Sequence, residues 1–251
     1  MPPSCNRLCQ LVDVRAIIQV ARDAGETPHA LFFLHGFNVT FQEAAIRAAQ
    51  IGFDLKVPGA TAFFSWPSRG NVMSYPVDEA SIEASEPAIT DFLVDFAMNC
   101  EAENVHIVAH SMGNRGLLRA LQRIAADAET RGKVRFGQIF LAAPDVDRDL
   151  FLDLARLYPE HAERTTLYSS EADRAVHLSA KLHDAPRAGY YTPLTVAHGV
   201  DTIAVPDSTL TCSVMATLHR RRRSFTTFTT DALRRTARAS PANHVRLARG
   251  S

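Results

Sequence analysis

Residues 105–121 read VHIVAHSMGNRGLLRAL. A β-branched, apolar run leads to Ser111, and apolar residues at helical spacing follow it. Small residues stand two places before the serine (Ala109) and two places after it (Gly113). A serine in that setting matches the nucleophile elbow, usually written G-x-S-x-G, in which small neighbours let a strand turn sharply into a helix and leave the hydroxyl exposed at the carboxyl end of a parallel sheet. Ala109 replaces the first glycine and keeps the site small. The helix that starts after Ser111 aims its free amides at the same point, where they stabilise an oxyanion. The chemistry expected is attack of the serine oxygen on an acyl carbon. Short S-x-G patterns also arise by chance; the strand before and the amphipathic helix after are the context that favours the elbow.

Such a serine needs three partners. The oxyanion hole draws one amide from the residue after the nucleophile and one from a loop after an earlier strand. ALFFLHGFN (30–38) offers that loop as His35-Gly36-Phe37, so the amides of Met112 and Phe37 are the candidate donors, with His35, Gly36, His110 and Gly113 as supporting residues. A hydroxyl is also a weak nucleophile until a histidine takes its proton and a carboxylate orients that histidine. The chain order in this architecture is serine, acid, histidine. Asp173, after the strand RTTLYSS, is the preferred acid, and Asp145, after IFLAAP, is the alternative. For the base, His219 follows the last strand, His198 precedes it and so falls at the wrong end, and His244 lies in the tail; His219 is the candidate.

The elements that must position these groups alternate strand and helix, the pattern of a parallel sheet. Strands are expected at 30–38, 60–68, 104–110, 136–147, 164–176 and 199–206. Helices are expected at 14–25, 40–55, 78–100, 112–129 and in LFLDLARLY, with a break near Pro87 in the long one. Thr40 followed by Glu43 is a capping-box pattern. The fold class is therefore α/β, a mostly parallel sheet with helices on both faces.

The segments FFLHGFN, FFSWPSRG, AHSMGNRGLLRAL, IFLAAPDVDRDLF, LYSSEADRAV and GVDTIAVP together resemble the alpha/beta-hydrolase superfamily. More narrowly, they resemble a bacterial esterase/lipase-like group catalogued as a domain of unknown function. The resemblance spans about residues 30–206 and implies a serine hydrolase without naming a substrate. It also implies a sheet lacking the first of the usual strands, leaving about six, and it places the family's acid at Asp173 through the layout Glu-x-Asp-Arg (171–174). Relatives carry a Gly-His pair soon after the last strand, and this sequence has none there. Shifting the reading frame across CSVMATLH (212–219), with freely chosen synonymous codons, spells LGHGYF, which contains that pair. A reading frame displaced from about residue 211 would account for the basic, threonine-rich tail.

The organisation expected is one hydrolase domain over 14–210 and a basic, poorly ordered tail over 211–251. With 27 basic and 27 acidic residues the net charge is zero, so no nucleic-acid partner is expected despite the Arg220–Arg223 run. Four scattered cysteines without a CxxC pair argue against a zinc site or a disulfide framework. No cofactor or metal is expected. No apolar run is long enough for a membrane span, and the N-terminus lacks the layout of a signal peptide, so a cytoplasmic protein acting on a small acyl ester is expected. Trp66, Met73 and Tyr75 either line the site or belong to the core.

Overall fold

The computed structural model describes residues 5–170, 179–180, 182–190, 192–205 and 245–247. Its elements run α1 (Cys5–Asp23), β1 (His29–Leu34), α2 (Phe41–Leu55), β2 (Gly59–Phe64), a short 3-10 turn (Val72–Ser74), α3 (Tyr75–Ala84), α4 (Glu86–Asn99), β3 (Asn104–His110), α5 (Gly113–Ala126), β4 (Phe136–Ala142), α6 (Arg148–Leu154), α7 (Leu157–His161), β5 (Ala162–Ser170), β6 (Val200–Val205) and β7 (Val245–Leu247). The strands form one sheet in the order β2-β1-β3-β4-β5-β6-β7, and every neighbouring pair is parallel. Among the described residues no strand precedes β1.

Strand β1 shows why the sheet is buried on both faces. Successive side chains of a strand point to opposite sides. Phe32 and Leu34 join a core with Ile89, Leu93 and Phe96 of α4 and Leu117 and Leu121 of α5. Leu31 and Phe33 join a second core with Ala48 and Ile51 of α2. A continuous apolar run is what such a doubly covered parallel strand requires.

Thr40 and Glu43 form the expected capping box at the start of α2, each side chain bonding the other's backbone. The long helix expected at 78–100 is two helices, broken at Ser85, with Pro87 in the first turn of α4, where a missing N–H costs nothing. Several boundaries differ from expectation; α1 begins at Cys5 rather than 14, and β1 ends at Leu34 rather than 38. β2 ends at Phe64 and β4 at Ala142, although apolar residues continue beyond both, because Trp66 and Val146 are buried from loops. The short helix expected in LFLDLARLY is two, α6 and α7. Among the described residues the six expected strands are joined by a seventh, since Val245–Leu247 of the tail pairs with β6. No helix among the described residues is long and apolar enough to cross a membrane.

Candidate active site

Ser111 follows β3 directly and precedes α5. Its φ is +48°, a left-handed conformation that costs a non-glycine residue of order 1–3 kcal/mol. The surroundings hold it there. Its N–H donates to the Ala142 carbonyl at 2.8 Å, and its own carbonyl accepts from the amides of Asn114 and Asp145, both at 3.1 Å. The buried Asn114 side chain adds a clasp, its Nδ2 donating to the carbonyls of Ser111 (3.0 Å), Ala109 (3.1 Å) and Ala142 (3.4 Å). The turn is thus sewn to its own strand and to the end of β4.

Two glycines make room. A Cβ on Gly113 would stand 2.5 Å from the His35 carbonyl oxygen and 2.7 Å from that of Leu34. One on Gly36 would stand 2.8 Å from His110 Nδ1 and 2.9 Å from the Ser111 Cβ. The loop after β1 and the turn after β3 therefore meet backbone to backbone. This is the sheet's carboxyl edge, where sites form in parallel α/β folds.

The structure brings Ser111, Met112, Phe37, Gly36, His35, His110 and Gly113 to this one place. Met112 is the last residue before α5, with αR dihedrals and no exposed surface. Among the described residues neither the Phe37 nor the Met112 N–H has an acceptor. The Ser111 hydroxyl, expected to be exposed, is instead buried, and it makes no hydrogen bond among them. His35 is buried, its Nδ1 lies 2.9 Å from the Gly36 carbonyl, and its ring stacks on Trp66 with centroids 5.0 Å apart. Burial pushes the His35 imidazole below its ordinary pKa, so it is neutral and Nδ1–H is free to donate to Gly36.

Asp145 sits beside this turn but spends its carboxylate elsewhere. It accepts from the Tyr75 hydroxyl and from Ser179 Oγ, both at 2.5 Å. Arg115 and Arg187 flank it at 3.6 and 3.7 Å. Arg115 also donates to the Asp145 carbonyl at 2.6 Å and pairs with Glu79, which in turn faces His183 Nε2 at 3.1 Å. Burial works against ionisation of Glu79, yet Arg115 and His183 outweigh it and hold its carboxyl below the ordinary range. Burial, then the Asp145 charge, pushes the Tyr75 phenol well up, so it stays a donor.

Asp173 and His219 lie outside the described residues. His198 does precede β6, at the edge of the sheet away from Ser111. Of the three residues left open between site and core, Trp66 and Tyr75 are buried and Met73 is 86% exposed. Sequence reading missed Asn114, Arg115, Ser179 and the Tyr75–Asp145 bond. Asn114 sits three residues after Ser111, within reach of its carbonyl, and that spacing is the only local signal among them.

Residues 16–201 match the family described as "Alpha/beta hydrolase of unknown function (DUF900)". The chain belongs to this family. Many solved structures are similar to this DUF900 chain, among them the following three. An uncharacterized protein from Bacillus cereus is 12% identical at a TM-score of 0.49, with 82% of this chain and 61% of that one covered. The DUF900 chain thus spans about three-fifths of that protein's length. A predicted CIB-like hydrolase from Thermoplasma acidophilum is 16% identical at 0.44, covering 83% and 87%. A cold-adapted esterase from an Arctic intertidal metagenomic library is 16% identical at 0.43, covering 80% and 84%. No curated protein matches.

Proposed function

We propose that this protein is a serine hydrolase that cleaves carboxylic esters through an acyl-enzyme, with Ser111 as nucleophile at a nucleophile elbow. The observation that carries the reading is the Ser111 turn itself. A serine at φ +48° bears a backbone cost, and costs of this kind gather where function needs them.

In the proposed reaction Ser111 Oγ attacks the acyl carbon and its proton passes to the base. The carbonyl oxygen becomes an oxyanion and accepts from the Phe37 and Met112 N–H groups, both without an acceptor among the described residues. Collapse expels the alcohol, which leaves with the proton. Water then attacks the acyl-enzyme, giving a proton to the base; the carboxylic acid departs and Ser111 regains its hydrogen. Asp173 is our acid and His219 our base. Asp145 is the weaker candidate for the acid, because both its oxygens already accept from hydroxyls. This chemistry requires no metal or cofactor.

A second reading is a catalytically impaired member of the family that binds ligands at the same edge. The Ser111 hydroxyl, without a partner among the described residues, favours it. A fluorophosphonate probe separates the two. Labelling of the wild type that vanishes in Ser111→Ala supports the hydrolase. Equal labelling of both, or none of either, supports the impaired form.

A further inference from the structure

The loop that carries the Phe37 amide is held by a second loop, the one after β2. At one end of it, Trp66 Nε1–H donates to the His35 carbonyl at 2.9 Å while the indole stacks on the His35 ring. At the other end, the Val39 N–H donates to Ser68 Oγ at 3.3 Å. Gly36, Phe37 and Asn38 lie between these two points, and Asn38 has a left-handed φ of +56°. The holding loop is itself anchored. Ser68 Oγ donates to Asp78 Oδ2 at 2.6 Å, and the Arg69 amide donates to Asp78 Oδ1 at 2.9 Å. Asp78 is fully buried in α3, one turn after Tyr75, whose ring meets Phe37 edge-on at 5.1 Å.

The geometry points to Trp66, Ser68 and Asp78 as positioning residues for the oxyanion donor, a two-point clamp on residues 35–39. The inference rests on the hydrolase reading above and says what keeps one half of its oxyanion hole in place. The peptide plane makes the link. The Gly36 carbonyl and the Phe37 N–H belong to one planar unit and point in opposite directions. His35 Nδ1–H holds that carbonyl, so the N–H direction is set by the His35 ring. Trp66 fixes the ring by stacking and fixes the preceding carbonyl by donation. Ser68 stops the far end from swinging, and Asp78 keeps the Ser68 hydroxyl hydrogen turned away, leaving its lone pairs to Val39. A donor that is fixed before the reaction stabilises the oxyanion without reorganising.

The test uses Trp66→Phe, which keeps a stacking ring without the N–H, and Ser68→Ala, with Ser68→Thr as the variant that retains a hydroxyl. Hydrogen exchange of residues 36–39 and turnover of p-nitrophenyl acetate are measured on the full chain. Exchange at 36–39 is expected to rise in Trp66→Phe and Ser68→Ala while α4 and α5 keep their protection. In the same variants kcat is expected to fall about tenfold with KM within about twofold, and Ser68→Thr is expected to recover both readings. Unchanged exchange at 36–39, raised exchange with kcat intact, or a Ser68→Thr as defective as Ser68→Ala would each overturn the clamp. If wild type neither turns over ester nor takes a fluorophosphonate at Ser111, the hydrolase reading falls, and the exchange result still decides whether the clamp holds the loop.

Discussion

The Asp145 amide donates to the Ser111 carbonyl at 3.1 Å, so the residue that follows β4 by three places closes the turn that follows β3. The bond matters because Asp145 has a second attachment through its side chain. Tyr75 and Ser179 both donate to that carboxylate. The backbone of the serine turn is thereby joined to α3 and to the segment around Ser179 through one buried residue.

Removing the Tyr75 hydroxyl should loosen this junction. Tyr75→Phe leaves an Asp145 oxygen without its donor and takes a partner from Ser179, which Tyr75 also meets at 2.7 Å. A buried group left unpaired costs about 1–3 kcal/mol. Urea denaturation should show a midpoint lowered by that amount with an unchanged slope, and Ser111 labelling should slow only modestly.

Asn114 should be costlier. Asn114→Ala removes one donor shared by three carbonyls, those of Ala109, Ser111 and Ala142, inside a fully buried site. A loss of about 2–3 kcal/mol is expected in denaturant, from the lost side-chain hydrogen bonds and the small cavity together. Ser111 labelling should drop further than the stability loss explains, since the turn loses its clasp.

The two glycines should separate by what a methyl group meets. At Gly113 the obstacles are the main-chain oxygens of Leu34 and His35, which cannot swing aside. Gly113→Ala is expected to yield little folded protein by circular dichroism. At Gly36 the two nearest obstacles are the His110 ring and the Ser111 Cβ, with the His110 main-chain oxygen farther off at 3.0 Å. Gly36→Ala is expected to fold, with Ser111 displaced and fluorophosphonate labelling lost.

Stability should rise with pH across the histidine range. Burial, together with the nearby His29, lowers His106 from 6.5 to about 4. Burial also lowers His29 and His35. Between pH 6.5 and about 4 the unfolded chain binds a proton at His106 that the folded chain refuses, and His29 and His35 act in the same direction below 6.5, so acid favours unfolding. The contribution is fully present above pH 6.5 and is lost progressively below it. For His106 the slope approaches roughly 1.4 kcal/mol per pH unit within that window; His29 and His35 add in the same direction. Denaturation midpoints at about pH 7.5 and about pH 5 give the comparison, and His106→Gln should flatten it.

Local patterns in the chain foretell local structure well here. Thr40 and Glu43 announce the start of α2, Pro87 announces the break between α3 and α4, and Ala109, Ser111 and Gly113 announce the sharp turn. Each depends on residues within a few places of one another. The contacts that finish the site do not. Trp66 meets His35 across 31 residues and Tyr75 meets Asp145 across 70. Neither leaves a periodic trace, and both aromatics look like core or pocket wall alike. The strand ends after β2 and β4 were obscured for a related reason: Trp66 and Val146 are buried by distant segments, so the apolar run outlasts the strand. The three residues of β7 stand in a polar tail with too little apolar pattern to betray a strand.

The left-handed Ser111 sets folding and use of the site against each other. Ser111→Gly would relax the φ of +48° and delete a buried hydroxyl that has no partner among the described residues, in one step. A library of variants screened only for thermal survival should therefore converge on glycine at this position, trading away the proposed nucleophile for robustness. Persistence of serine in such a library would mean that the surrounding loops, not the residue, impose the conformation at no net cost.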